Sequence, residues 1–134
     1  MSKVYKCHKI SDGKVEAEVT ISKDPIMFYL LEPETGKMIE PNHDFTGRSM
    51  SGKILVFPSG KGSSVVQADG LFQLMKYKNQ PAGMIVEYPE TVLVTSAIVF
   101  EIPVVDKVDP QCYKDIKEGD KIIIDATNEE ITIL

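Results

Sequence analysis

Lys61, Ser63 and Ser64 crowd into one short stretch, Pro58-Ser59-Gly60-Lys61-Gly62-Ser63-Ser64. It offers an ammonium, two hydroxyls and the backbone N–H groups of a glycine-rich turn, which together suit an anionic ligand. The stretch follows the apolar run Leu55-Val56-Phe57 and precedes a segment of helical periodicity. The turn is therefore expected to open a helix, whose first N–H groups lack partners and whose dipole favours negative charge. From spacing alone, Ser63 or Ser64 reads first as an N-cap. The alternative is that one hydroxyl is a ligand or a base. A neutral serine is a very weak base and takes a proton only where positive charge and oriented donors activate it. The helix end, Lys61 and Arg48 are the sources of such charge.

Other chemistries fit less well. A Walker phosphate loop fails, because Gly62 follows Lys61 and Leu55 stands where the first glycine belongs. No histidine or carboxylate lies beside the serines in sequence, so a Ser-His-Asp triad is not supported. Arg48, in Gly47-Arg48-Ser49, is either a solvated loop residue or a bidentate clamp for carboxylate or phosphate. His43-Asp44 reads as a surface loop before it reads as an acid–base pair. Asp106 and Asp109 read as turn formers near Pro110, and Glu129-Glu130 as a solvated hairpin corner. The cysteines are Cys7 and Cys112, far apart and outside any C-x-x-C spacing. They cannot make the four-ligand set of a structural zinc or an iron–sulfur cluster, so no metal is expected in this chain. Isolated thiols in a reducing cytosol are the simplest reading.

The elements that must hold these residues follow from patterning. Lys14 to Ser22 alternates, as a half-buried strand does. Ile26 to Leu31 is a continuous apolar run, expected to be a buried strand, and Glu32 to Lys37 a turn. Lys53 to Phe57 is a strand stopped by Pro58. Ser63 to Lys76 is helical, with Val65, Ala68, Leu71, Phe72 and Met75 on one face. Gly70 inside it costs roughly 1 kcal/mol of helix propensity. Strands are expected at Ala82–Glu87, Val92–Phe100 and Ile102–Val105, then a closing hairpin of Lys121–Asp125 and Glu130–Leu134. This is one β-rich α/β domain over residues 1–134: a barrel-like or layered sheet with one principal helix packed outside. A net charge of −5 and a pI near 5.0 argue against nucleic-acid or anionic-membrane binding. No apolar run approaches the ~18 residues of a membrane span, and no signal segment opens the chain, so a soluble cytoplasmic protein is expected.

Three further strings carry a resemblance. Ile54-Leu55-Val56-Phe57-Pro58-Ser59-Gly60-Lys61-Gly62-Ser63-Ser64, then Gln80-Pro81-Ala82-Gly83-Met84-Ile85-Val86, then Ala97-Ile98-Val99 and Ile102-Pro103-Val104-Val105-Asp106 occur in order. With Gly47-Arg48-Ser49, they resemble the small subunit of the aconitase X family, most of all its archaeal phosphomevalonate dehydratases. The resemblance runs from about Gly13 to Leu134. It implies a swivelling β/β/α domain whose Gly-Ser-Ser helix terminus lies over an active site. It further implies Ser63 as proton acceptor, and Ser64, Gly62, Lys61 and Arg48 around the substrate. A large subunit carrying a [4Fe-4S] cluster is the implied partner. The implied reaction is dehydration of (R)-5-phosphomevalonate to trans-anhydromevalonate 5-phosphate in an archaeal mevalonate pathway. The chain departs from the family where Val65-Val66-Gln67-Ala68 replaces small residues after the serines, and where Ser96 precedes Ala97-Ile98-Val99. Relatives that dehydrate cis-3-hydroxy-L-proline share the framework and give the alternative substrate. A non-enzymatic metabolite-binding β-barrel is the alternative of another class, and it leaves the Ser-Gly-Lys-Gly-Ser-Ser turn unexplained.

Overall fold

The computed structural model describes residues 2–134, except the side chain of Ser64. Eight strands form one sheet: β1 (Lys3–Lys6), β2 (His8–Ser11), β3 (Lys14–Ile21), β4 (Ile54–Phe57), β5 (Gly83–Val86), β6 (Val104–Asp106), β7 (Lys121–Asp125) and β8 (Glu130–Ile133). The helices are α1 (Ser64–Lys76), α2 (Thr91–Val99) and the short α3 (Pro110–Asp115). The strand order is β1-β8-β7-β3-β4-β5-β6-β2. β1 and β2 are separated by Cys7 alone, so one extended N-terminal stretch pairs with β8 and then with β6. The two edges of the order thereby meet, and the sheet curls into a barrel-like layer. β3 turns the other corner: Lys14–Glu18 run antiparallel to β7, and Val19–Ile21 run parallel to β4.

Side-chain alternation along β4, β5 and β6 divides the interior. Ile54, Val56, Ile85 and Val105 face a core shared with Ile122, Ile124 and Ile131 of the opposing strands. Leu55, Phe57, Met84, Val86 and Val104 face a second core shared with Leu71 and Leu74 of α1 and Leu93 and Ala97 of α2. The result is β over β over α. Strands covered on both faces read as unbroken apolar runs, which is how β4 and β5 appear in the sequence.

Three expectations change. Val92–Phe100 is α2, not a strand. Its β-branched residues mimic a strand, but parallel β5 and β6 need a crossover between them, and Glu90 caps the helix by accepting from Val92 and Leu93 N–H. The sheet therefore carries two substantial helices, not one. Ile26–Leu31 is not a strand either: Ile26 makes a single parallel bridge to Gly60, and Phe28–Leu30 form a 3₁₀ turn. The run is apolar because Ile26, Phe28 and Leu31 are buried, and burial alone does not choose strand over turn. Finally, α1 is rotated from its expected register. Gln67, Gly70, Leu71 and Leu74 face inward, while Val65 and Phe72 are exposed. Gly70 accounts for this. A Cβ there would lie 2.4 Å from the Tyr29 nitrogen and 2.5 Å from the Phe28 carbonyl carbon. The glycine lets α1 rest directly on the backbone of the 3₁₀ turn.

Candidate active site at the α1 terminus

β3, β4, β5 and β6 run parallel where they pair, and the turns leaving β4 and β5 both lead into helices. The C-terminal edge of parallel strands is where α/β sheets present their loops to ligands. Pro58–Ser63 lies on that edge and is held from several sides. Ile26 N–H donates to the Ser59 carbonyl (3.0 Å), and Lys61 N–H donates to the Ile26 carbonyl (2.9 Å). The Pro58 carbonyl accepts from Glu87 and Tyr88 N–H at 3.1 and 2.9 Å, tying the turn to the loop before α2. Gly62 has φ +102, a backbone state that favours glycine, and a Cβ there would press on the Met27 side chain.

Ser63 occupies the N-cap of α1 with extended backbone (φ −71, ψ 162), and its carbonyl accepts from Gln67 N–H at 3.0 Å. Among the described residues, its hydroxyl makes no capping hydrogen bond, and the residue is exposed. Among the described residues, the cap position is thus filled without a side-chain capping bond to the first N–H groups of the helix. α2 differs: the Glu90 carboxylate already occupies its N-terminus. Of these two helix ends, the α1 terminus is the one that carries no carboxylate cap among the described residues. Ser64 begins the helix, but its side chain lies outside the described residues, so its expected contact with substrate has no geometry here.

The charged residues sort themselves by partner. Lys61 Nζ pairs with Glu40 Oε2 at 2.7 Å, both side chains being half-buried. Glu40, not singled out by its sequence context, therefore sets where the ammonium sits. Arg48 is engaged elsewhere: its guanidinium donates to the Asp44 carbonyl (3.1 Å), pairs with Glu118 (3.4 Å) and stacks over Phe45. Lys61, Gly62 and Ser63 are brought together by the turn itself. None of Arg48's contacts is with that turn. His43 is buried, with Nδ1 accepting from Phe45 N–H, so Nε2–H donates to the Pro25 carbonyl. Both ring nitrogens are used in holding the loop. Asp44 accepts from Lys23 N–H, which holds its carboxyl below the usual range.

Cys112 is buried and Cys7 half-buried in the core between the strands. Burial, with nearby carboxylates, pushes Cys7 up to about 11 and Cys112 up to about 12. Among the described residues no group of three or more His, Cys, Asp or Glu side chains is placed to hold a metal ion. Among the described residues no helix is long and apolar enough to cross a membrane.

Comparison with known proteins gives a consistent result. A family profile described as the aconitase X swivel domain matches residues 4–133. The chain is 42% identical over 130 residues to the phosphomevalonate dehydratase small subunit of Thermococcus kodakarensis, covering 96% of this chain and 95% of the relative. It is 39% identical over 131 residues to the protein of the same name from Methanosarcina mazei, covering 97% and 90%. The crystal structure of holo-form aconitase X from Thermococcus kodakaraensis superposes with a TM-score of 0.88 at 41% identity, covering 98% of both chains.

Proposed function

The chain belongs to the aconitase X swivel domain family, and from that premise we propose that it is the small subunit of a two-subunit hydro-lyase. Its substrate is (R)-5-phosphomevalonate and its product trans-anhydromevalonate 5-phosphate, within an archaeal mevalonate pathway. The observation that supports the proposal is Ser63: an N-cap residue whose hydroxyl makes no capping bond among the described residues, at a helix terminus on the C-terminal edge of the parallel strands.

Dehydration breaks the C–H bond beside the carboxylate and the C–O bond of the neighbouring carbon. The C–H electron pair becomes the double bond, the hydroxyl departs with the C–O pair, and that hydroxide and the abstracted proton together make up the water lost. In this reading Ser63 Oγ receives the proton. It can do so only if its alkoxide character is supported, and the support available in this chain is the α1 dipole and the N–H groups at its start. Lys61 stands two residues before that terminus and is paired with Glu40; turned from that partner toward the substrate, its ammonium would suit a phosphate or carboxylate oxygen. A [4Fe-4S] centre in the large subunit would supply Lewis acidity toward the departing hydroxyl. Its ligands would come from that subunit, since the two cysteines of this chain are too few to hold such a cluster. Closure of the two subunits around the substrate would exclude water from the serine.

The test is turnover of 5-phosphomevalonate by this chain mixed anaerobically with the large subunit from the same genome, followed as the loss of water by mass. Product requiring both chains, and lost by at least about 1,000-fold in Ser63→Ala with association intact, supports the reading. Full turnover in Ser63→Ala removes the serine from the chemistry. Turnover of cis-3-hydroxy-L-proline in place of the phosphate substrate reassigns the substrate and leaves the serine's role standing.

A further inference from the structure

Gln67 is an oddity of the structure. Its amide side chain is almost wholly buried, at 3% exposure. One end of the amide is used: Nε2 donates to the Gly62 carbonyl at 2.9 Å. The other end, Oε1, is buried and has no hydrogen-bond partner among the described residues. That bond fixes the orientation of the amide, because the reverse would set oxygen against the Gly62 carbonyl oxygen. Buried polar atoms left unpaired are costly, and where they persist they ask for a reason.

The reason lies in what the amide holds. Gln67 bonds the active turn twice, by its backbone N–H to the Ser63 carbonyl and by its side chain to the Gly62 carbonyl. Those carbonyls flank Ser63 on its two peptide bonds. Gly60 completes the arrangement. A Cβ on Gly60 would lie 2.4 Å from Gln67 Oε1 and 3.6 Å from Glu90 Oε1. Its φ is outside the left-handed region, so glycine is needed there for space, not for backbone freedom. The missing side chain lets the amide of α1 seat against the turn.

We propose that Gln67 is a positioning residue that locks the Gly60–Ser63 turn and so aims the Ser63 hydroxyl, with Gly60 as the notch that admits it. The proposal rests on the reading of Ser63 as the reacting hydroxyl. Small misplacements of a reacting group can cost on the order of 100-fold in rate.

The test uses the reconstituted two-subunit enzyme with 5-phosphomevalonate. Gln67→Ala should lower kcat by roughly 10- to 100-fold with KM within about threefold. Gln67→Glu, similar in shape but presenting an acceptor to the Gly62 carbonyl, should do the same. Gly60→Ala alone should also lower kcat, since its methyl displaces the amide. In the Gln67→Ala background, Gly60→Ala should be silent to within about twofold, the signature of two residues acting through one contact. Amide hydrogen exchange across residues 60–66 should quicken in Gln67→Ala, and this readout does not depend on which group takes the proton. The proposal is overturned if Gln67→Ala leaves both kcat and exchange unchanged, or if the Gly60 and Gln67 effects multiply. If exchange quickens in Gln67→Ala while Ser63→Ala keeps full turnover, the positioning role stands and the proton-acceptor role falls.

Discussion

Replacing Gly70 by alanine sets two well-measured effects against each other, and the structure decides which wins. In an exposed helix interior, glycine to alanine gains close to 1 kcal/mol of helix propensity. At Gly70 the new Cβ would sit 2.4 Å from the Tyr29 nitrogen, 2.5 Å from the Phe28 carbonyl carbon and 2.8 Å from the Tyr29 Cα. These are backbone atoms and cannot rotate away. Restoring ordinary contact requires α1 to lift off the 3₁₀ turn by about 1 Å, which loosens Phe28, Leu71 and Leu74 together. Overpacking of this kind costs typically 1–3 kcal/mol, and a clash on backbone belongs at the upper end or beyond. The net expectation is a loss of about 2 kcal/mol despite the propensity gain. For a domain of this size that is a fall in Tm of roughly 6–10 °C. Urea unfolding of the purified chain, with the slope compared to wild type, measures it directly. A neutral or stabilised Gly70→Ala would refute the claim that α1 is seated on backbone. The same displacement would tilt the α1 terminus, so turnover should fall with stability.

Other perturbations follow from single contacts. Lys61→Ala should raise KM for a phosphate-bearing substrate on the order of tenfold, read by steady-state kinetics, because Lys61 belongs to the turn itself, whereas Arg48→Ala, whose partners Asp44, Glu118 and Phe45 lie outside the turn, should shift it less than about threefold. Glu90→Ala removes an acceptor from two α2 N–H groups and should cost about 1 kcal/mol in denaturant unfolding. The native thiols should react slowly with an alkylating reagent at pH 8 and rapidly in denaturant, because burial holds Cys7 at about 11 and Cys112 at about 12. With folded values above the ordinary 9.0, their share of stability is complete below pH 9 and is lost as pH climbs toward those values, which an alkaline denaturation series would display. Asp12, Asp44 and Asp125 are shifted the other way by hydrogen bonds from Thr127, the Lys23 backbone and Asn128, so their contribution is present above about pH 4 and fades as pH falls further.

The sequence by itself determined the family, the closing hairpin, strands β3 to β6 to within a residue or two, and the start of α1. Each rests on local chemistry: alternation along Lys14–Ile21, unbroken apolar runs at β4 and β5, and a Gly-Lys-Gly-Ser turn that leaves a helix little choice of origin. What it did not determine is wherever a distant segment sets the outcome. Val92–Phe100 has the residues of a strand and is a helix, because parallel neighbours β5 and β6 need a crossover. β1 and β2 are short and largely exposed, and exist because β8 and β6 have open edges to fill. The inward face of α1 is set by Gly70 meeting the Phe28–Tyr29 backbone, a close approach that no spacing within the helix foretells. The same holds at the candidate site. Lys61 and Ser63 are two residues apart in sequence, but the pairing of Lys61 with Glu40 and of Arg48 with Glu118 are products of the folded chain. Local sequence fixes which backbone states and capping groups are available. Packing between segments far apart in the chain selects among them, because only there do excluded volume and charge pairing act.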